Sequence, residues 1–325
     1  MPLYKILILI SLMFTNSELF SFEEGVAKKN DVEIYYRDYG PLDGDPILLV
    51  QGLGGQLINW PEHLIEFLIK NNFRPIVFDN RDTGLSSRIP GDSFADEKRG
   101  NTIIRSYVRY YLRLPIQSEY IIDDMANDAI SVLDELNIDK AHILGISMGG
   151  MIAQLMAIHH PKKIKSLTSI MSTSGNPKLP GPHWEVAKFI LSGAKNKNIN
   201  SPEAFYHRLW NLIGSPAYPR SSQELDEFVE RIMSRGMTPG GSVRQILAIL
   251  SSSNRCADLK KLRLATLVIH GNEDKLVPIE CGLDTAKCIP NAELWQIPGM
   301  GHDFPYELLT EFTNKIAAHI HTAEG

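Results

Sequence analysis

Short apolar runs recur along this chain. Most end in a glycine-rich or polar turn and are followed by a stretch with helical spacing. Runs at 32–39 and 47–51 predict the opening strands. A helix is predicted at 61–71 and a strand at 74–78. A helix at 122–136 leads to a strand over Ala141-His142-Ile143-Leu144, and the run Met151-Ile152-Ala153-Gln154-Leu155-Met156-Ala157 begins the next helix. Strand patterns return at 165–171, 265–270 and 292–297. A helix over Ile279 to Ile289 and a terminal helix complete the series. Strands alternating with helices predict an α/β fold with a mostly parallel sheet and helices on both faces.

Two stretches break the alternation. About 90 residues separate the strands at 165–171 and 265–270. They are rich in Pro, Gly and Ser at their ends and helical within, as over Ser221 to Arg235. A cap or lid insertion is therefore expected at 173–244, between the sixth and seventh core strands, with the core at 26–172 and 245–325. Trp184, Phe189, Phe205, Tyr206, Trp210 and Tyr218 fall in this insertion, as pocket lining or as its own core. Residues 90–118 form the second stretch, charged and then aromatic through Tyr107-Val108-Arg109-Tyr110-Tyr111-Leu112-Arg113-Leu114. It reads as a surface helix packing its Tyr and Leu on the body, or as a substrate entrance or membrane-facing lip.

Chemistry concentrates where strand runs end. Gly145-Ile146-Ser147-Met148-Gly149 sits between a strand and a helix. A serine on such a sharp turn is raised above the sheet edge at a helix N-terminus, and glycines on either side spare the turn any side-chain collision. This is the pattern of a nucleophile elbow, although a Gly-rich turn with a capping serine has the same letters. Serine needs a base, and the base needs a carboxylate to fix its tautomer. In chain order, His270-Gly271-Asn272-Glu273-Asp274 supplies the acid and Pro298-Gly299-Met300-Gly301-His302 the histidine. Asp274 is preferred over Glu273 because the pattern runs on to Val277-Pro278. His270 reads as a strand-end residue near the site, and His159 and His160 as the end of the helix after the elbow. The loop Gln51-Gly52-Leu53-Gly54-Gly55 follows the 47–51 strand, and the backbone N–H groups of Leu53 and Met148 are the expected oxyanion donors. The same glycines lack the third glycine of a dinucleotide loop and the lysine of a P-loop.

These motifs together resemble a serine hydrolase of the α/β-hydrolase superfamily. The block Asp79-Asn80-Arg81-Asp82-Thr83-Gly84-Leu85-Ser86 resembles the Asp-Asn-Arg-Asp-x-Gly-x-Ser block of the aclacinomycin methylesterase-like group, which hydrolyses carboxylic methyl esters. The resemblance spans roughly residues 30–320 outside the two insertions. It implies hydrolysis through an acyl-enzyme on Ser147 and a small or medium carboxylic ester as substrate. A lactonase, thioesterase or carbon–carbon bond hydrolase would share every residue named, and a non-catalytic binding member of the fold is the reading from a different class. Many relatives carry His-Gly where this chain has Gln51-Gly52. The Asp79–Ser86 block reads as structural, tying loops together near the site.

Composition narrows the partners. A net charge of −5 and a pI near 6.1 give no basic footprint for nucleic acid. No calcium, zinc or P-loop spacing occurs, so neither a cofactor nor a metal is expected. At the N-terminus Lys5 precedes the apolar core Ile6 to Phe14, too short for a transmembrane span. Residues 1–21 read as an export signal cut after Ser17 or Ser21 and, apart from the lip reading of 90–118, as the one segment able to touch a membrane. Cys281 and Cys288 fall on one predicted helix, about 10 Å apart and too far to bridge. All three cysteines, Cys256 included, read as packing residues.

Overall fold

The computed structural model describes residues 21–90, 96–193, 201–238 and 240–323, with the side chains of 96–101 and 192–193 left aside. The expected export signal lies, apart from Ser21, outside the described residues. The chain opens with β1 (Glu23–Lys29), β2 (Val32–Asp38) and β3 (Asp45–Val50), then α1 (Glu62–Lys70) and β4 (Phe73–Phe78). Next come α2 (Asp96–Tyr111), α3 (Ile122–Glu135), β5 (Ala141–Ile146), α4 (Met148–His159) and β6 (Ile164–Ile170). Between β6 and the next strand lie α5 (Trp184–Gly193), α6 (Pro202–Ile213), α7 (Ser222–Met233), α8 (Gly241–Ser251) and the short α9 (Cys256–Leu259). The chain closes with β7 (Ala265–Gly271), α10 (Ile279–Cys288), β8 (Glu293–Ile297) and α11 (Leu309–Thr322).

The eight strands form one sheet in the order β1-β2-β4-β3-β5-β6-β7-β8. β2 is antiparallel to both β1 and β4, and every pairing from β4 to β8 is parallel. After β3 the chain first moves to β4 on one side and later returns to β5 on the other. A reversal of this kind leaves a crevice beyond the carboxyl ends of β3 and β5, where ligands of open α/β sheets bind.

Period-two alternation divides the core between the two sheet faces. In β3, Leu48 and Val50 join Met125, Val132 and Ile152 of α3 and α4, while Ile47 and Leu49 join Leu64, Leu68, Phe312 and Ile316 of α1 and α11. α4 is apolar nearly all round because it is covered by the sheet on one side and α3 on the other. In the insertion, Ser221 caps α7 reciprocally with Glu224, and Ser201 caps α6 ahead of Pro202.

Two features depart from the sequence reading. β1 lies ahead of the predicted strands. It is a charged edge strand whose only fully buried side chain is Ala27, so it carries no apolar alternation to detect. The second is a correction: Cys256 and Cys288 form a disulfide, so they are not plain packing residues. Spacing along α10 rightly keeps Cys288 from Cys281, but it cannot foresee that α9 returns from the insertion to the C-terminal end of α10. Cys281 is free and buried.

His319, buried in α11, is held neutral, with burial pushing its pKa down to about 4. The unfolded chain takes up this proton below about pH 6.5. The stability contribution is therefore full above pH 6.5 and is lost as pH falls toward 4. The expected loss is on the order of 3 kcal/mol. Urea titrations between pH 7 and 4 should show a shallower pH dependence for His319→Gln than for wild type.

Candidate active site

The strand–turn–helix at the end of β5 places Ser147 at φ 52° and ψ −120°, in a region that non-glycine residues rarely enter. Its neighbours hold it there. Ser147 N–H donates to Ile170 O at 2.9 Å, and Ser172 Oγ donates to the Ser147 carbonyl at 2.7 Å. A β-carbon on Gly149 would lie 2.0 Å from Val50 O, and one on Gly145 would lie 2.2 Å from Gly149 O. Only glycine lets α4 approach β3 and β5 this closely.

His302 comes to the serine from the loop after β8. Its Nε2 is 3.0 Å from Ser147 Oγ, and its Nδ1 is 2.6 Å from Asp274 Oδ2. Asp274 Oδ1 accepts the N–H groups of Leu276 and Val277 at 2.9 and 2.8 Å, which fixes the carboxylate edge that faces the imidazole. Glu273 is exposed and does not join this line. His270 is buried beside it, with Nε2 donating to Val277 O at 2.7 Å; burial lowers its pKa and holds it neutral. His159 is exposed at the end of α4 and pairs with Asp123.

Gly52 is packed against the elbow, where a β-carbon would sit 3.2 Å from Ser147 Cβ. Leu53 lines the same cavity as Ser147. Met148 is buried at the first position of α4, where an N–H has no intrahelical acceptor. The Gln51 side chain folds back so that Oε1 accepts Gly52 N–H at 3.4 Å, and Asn80 Nδ2 donates to Gln51 O at 3.0 Å. Gln245 completes the loop, accepting from Gly54 N–H at 2.8 Å and donating to Arg81 O at 3.0 Å. Gln245 was not singled out in the sequence, though a polar pair, Arg244-Gln245, on the buried face of α8 was its one visible sign.

The Asp79–Ser86 block is a set of ties. Asp79 accepts from Leu57 and Leu85 N–H and pairs with Arg235 of the insertion; burial raises its pKa and Arg235 opposes that. Arg81 holds Asp128 of α3 through two contacts at 2.6 and 2.7 Å. Asp82 takes a two-pronged grip from Arg244 at 2.7 Å on each oxygen, plus Tyr120 Oη at 2.8 Å.

The histidine loop is bolted to the insertion. His302 N–H donates to Ile213 O at 2.7 Å, at the end of α6, and Gly301 N–H donates to Ser215 Oγ at 2.9 Å. Ser215 Oγ in turn donates to Asp303, whose other oxygen lies 3.5 Å from Arg220 Nε. Sequence reasoning missed Asp303, Ser215 and Arg220, because their meeting depends on how the insertion folds back.

A cavity of about 1060 Å³ opens at Ser147 and His302. Phe205, Tyr206 and Trp210 of α6 line it, as do Tyr107 and Tyr110 of α2, whereas Phe189 is buried away from it and Trp184 is on the surface. Its walls are mostly apolar, with Arg220, Arg231, Arg255 and Asp303 among the polar exceptions.

Comparison with known proteins agrees with this architecture. A family model described as the alpha/beta hydrolase fold matches residues 45–307. Rhodomycin D methylesterase DnrP of Streptomyces peucetius is 25% identical over 332 residues, covering 96% of this chain and 98% of its own. The bifunctional esterase/perhydrolase DCH of Acinetobacter calcoaceticus is 24% identical, covering 86% of this chain and 93% of its own. The crystal structure of a bromoperoxidase from Bacillus anthracis superposes with a TM-score of 0.70 at 22% identity, over 92% of this chain and all of that one.

The Asp82–Arg244 tie should matter for folding. Arg244→Ala leaves a buried carboxylate without its cation and should cost about 3–5 kcal/mol in urea unfolding. A loss under about 1 kcal/mol would remove this tie from the structural role given to it here.

Proposed function

Since the chain belongs to the alpha/beta hydrolase fold family, we propose that it is a serine carboxylic ester hydrolase. The observation that carries this reading is the unbroken hydrogen-bonded line from Asp274 through His302 to Ser147 Oγ. In this reading His302 takes the Ser147 proton as Oγ attacks the ester carbonyl. The tetrahedral oxyanion is met by the N–H groups of Leu53 and Met148. His302 then gives the proton to the leaving alcohol, and water releases the acid by the same route. Asp274 keeps Nδ1 protonated and stabilises the imidazolium. The names of the two curated relatives, a methylesterase and an esterase/perhydrolase, support the ester class. The apolar cavity supports an ester of medium size or larger.

Ser147→Ala should lower hydrolysis of a p-nitrophenyl ester by at least about 10⁴-fold with the unfolding midpoint unchanged. A panel of esters, lactones and thioesters varied in acyl length and alcohol size, run beside this variant, sets the preferred class. Wild-type rates from Ser147→Ala would remove Ser147 as nucleophile.

We also propose that the protein is exported. The Cys256–Cys288 bond supports this, because disulfides persist in oxidising compartments and are rare in reducing ones. Mass spectrometry of the protein recovered outside the cytoplasm should give a chain beginning just after Ser17 or Ser21 with two fewer thiols than the sequence holds. Recovery of full-length, fully reduced protein from the cytoplasm alone would rule export out.

A further inference from the structure

α2 has two apolar faces. The inner one is accounted for: Ile103 packs on Val243 and Leu247 of α8, while Tyr107 and Tyr110 form part of the cavity wall. The outer one is not. Ile104, Val108 and Leu112 follow at spacings of four and eight, one stripe of a helix, while Tyr111 sits at its rim and also lines the cavity. Val108 is 52% exposed and Leu112 63%. Leu114 extends the stripe past the helix end, and Trp184, 63% exposed, stands at the start of α5, which packs against α2. The tyrosines of α2 thus pack on the body, as a plain surface helix would have them, but Val108 and Leu112 are turned to solvent. An outer helix face should be polar, and an apolar stripe of this kind marks a contact surface.

Charge says what the contact is. Arg105, Arg109 and Arg113 are exposed beside the stripe, and none pairs with a carboxylate among the described residues. Residues 102–118 contain no Asp or Glu, in a chain whose net charge is −5. Glu185 is the acidic neighbour of Trp184, with Lys188 on the same helix near that indole ring. A basic, aromatic-bearing apolar stripe matches a surface that is anionic outside and apolar just beneath. A second copy of the chain fits poorly, since a two-fold contact through this face would set one row of three arginines against another. No helix among the described residues is long and apolar enough to cross a membrane.

We propose that the outer face of α2, with Trp184, docks on an anionic lipid surface. The helix lies in the plane of the headgroups, Val108 and Leu112 entering the acyl boundary and the arginines meeting the phosphates. Because the inner face of the same helix forms the wall of the cavity, docking sets the entrance beside the bilayer. The substrate class then becomes esters that partition into lipid, a step that rests on the ester-hydrolase reading; the docking itself does not.

The test separates the two. Full-length Ser147→Ala protein carrying Val108→Cys is labelled with a nitrobenzoxadiazole fluorophore. Cys281 is buried, with burial pushing its thiol up to about 11, so it does not compete for the label. On phosphatidylglycerol vesicles the emission should shift to the blue and rise at least about twofold, and on phosphatidylcholine vesicles it should not move. A label at Lys140→Cys, exposed just before the amino end of the central strand β5, should remain in water and so distinguishes docking through α2 from attachment through the N-terminus. Replacing Arg105, Arg109 and Arg113 together with alanine should weaken vesicle binding roughly a hundredfold. In the active protein, Val108→Glu with Leu112→Glu should leave turnover of a water-soluble ester unchanged and cut turnover of a vesicle-embedded ester at least about tenfold. An unresponsive label at 108, equal response to both lipids, or a dimer that the glutamates dissolve would each overturn the proposal. Docking without ester turnover by the wild type would overturn the hydrolase reading and the substrate class while leaving the docking in place.

Discussion

The site depends on how closely the N-terminus of α4 comes to the ends of β3 and β5. Val50 O would be 2.0 Å from any side chain at Gly149, so the helix can sit where it does only because that position has none. This approach brings the Gly52-Leu53 turn against Ser147, and it holds the serine in a backbone conformation that would relax if the helix backed away. The strain is spread over several contacts, from Ser172, Ile170 and the sheet itself, each worth little alone. In the proposed mechanism, pre-organisation of this kind would let the hydroxyl face its base without reorganisation at the moment of reaction.

The histidine depends on a different part of the molecule. The loop at 299–303 takes its position from the end of α6 as much as from β8. A β-carbon at Gly301 would lie 2.5 Å from both Ile213 O and Gly214 O. Asp303, Ser215 and Arg220 close the same seam. The insertion that lines the cavity is thus also part of what holds the imidazole in register with Ser147. In the proposed ester-hydrolase reading, residues that shape substrate binding and residues that shape reactivity would share one piece of backbone.

Much of this was readable in advance because it is written in local pattern. Six strands are parallel, of which β3, β4 and β7 carry continuous apolar runs, and the glycines at 145 and 149 and the Gly-flanked histidine at 302 announce sharp turns where strands end. Asp274 was singled out over Glu273 by the Val277-Pro278 that follows; Asp274 lies against His302 and Glu273 is exposed. What stayed hidden is whatever needs two distant segments to meet. β1 is polar on both faces, so nothing local marks it as a strand. Cys256 and Cys288 are 32 residues apart, and only the return of the chain along α9 brings their α-carbons to 5.1 Å. Gln245 supports the Gly54 turn from 191 positions away. Periodicity reports burial and does not report partners.

The insertion is rooted in the core at two places, where the chain leaves β6 and where it comes back toward β7. The Cys256–Cys288 bond rivets the second root to α10, and the buried Arg255 beside it grips Gln154 and Thr173. The first root, running through Gly175 and Pro180 to Pro182, has no covalent counterpart. It is held by hydrogen bonds instead, with Ser174 and Asn176 both reaching Asp284 of α10. Any lifting of this roof to admit a bulky molecule would also tug on His302, because Ile213 and Ser215 at the end of α6 hold that loop.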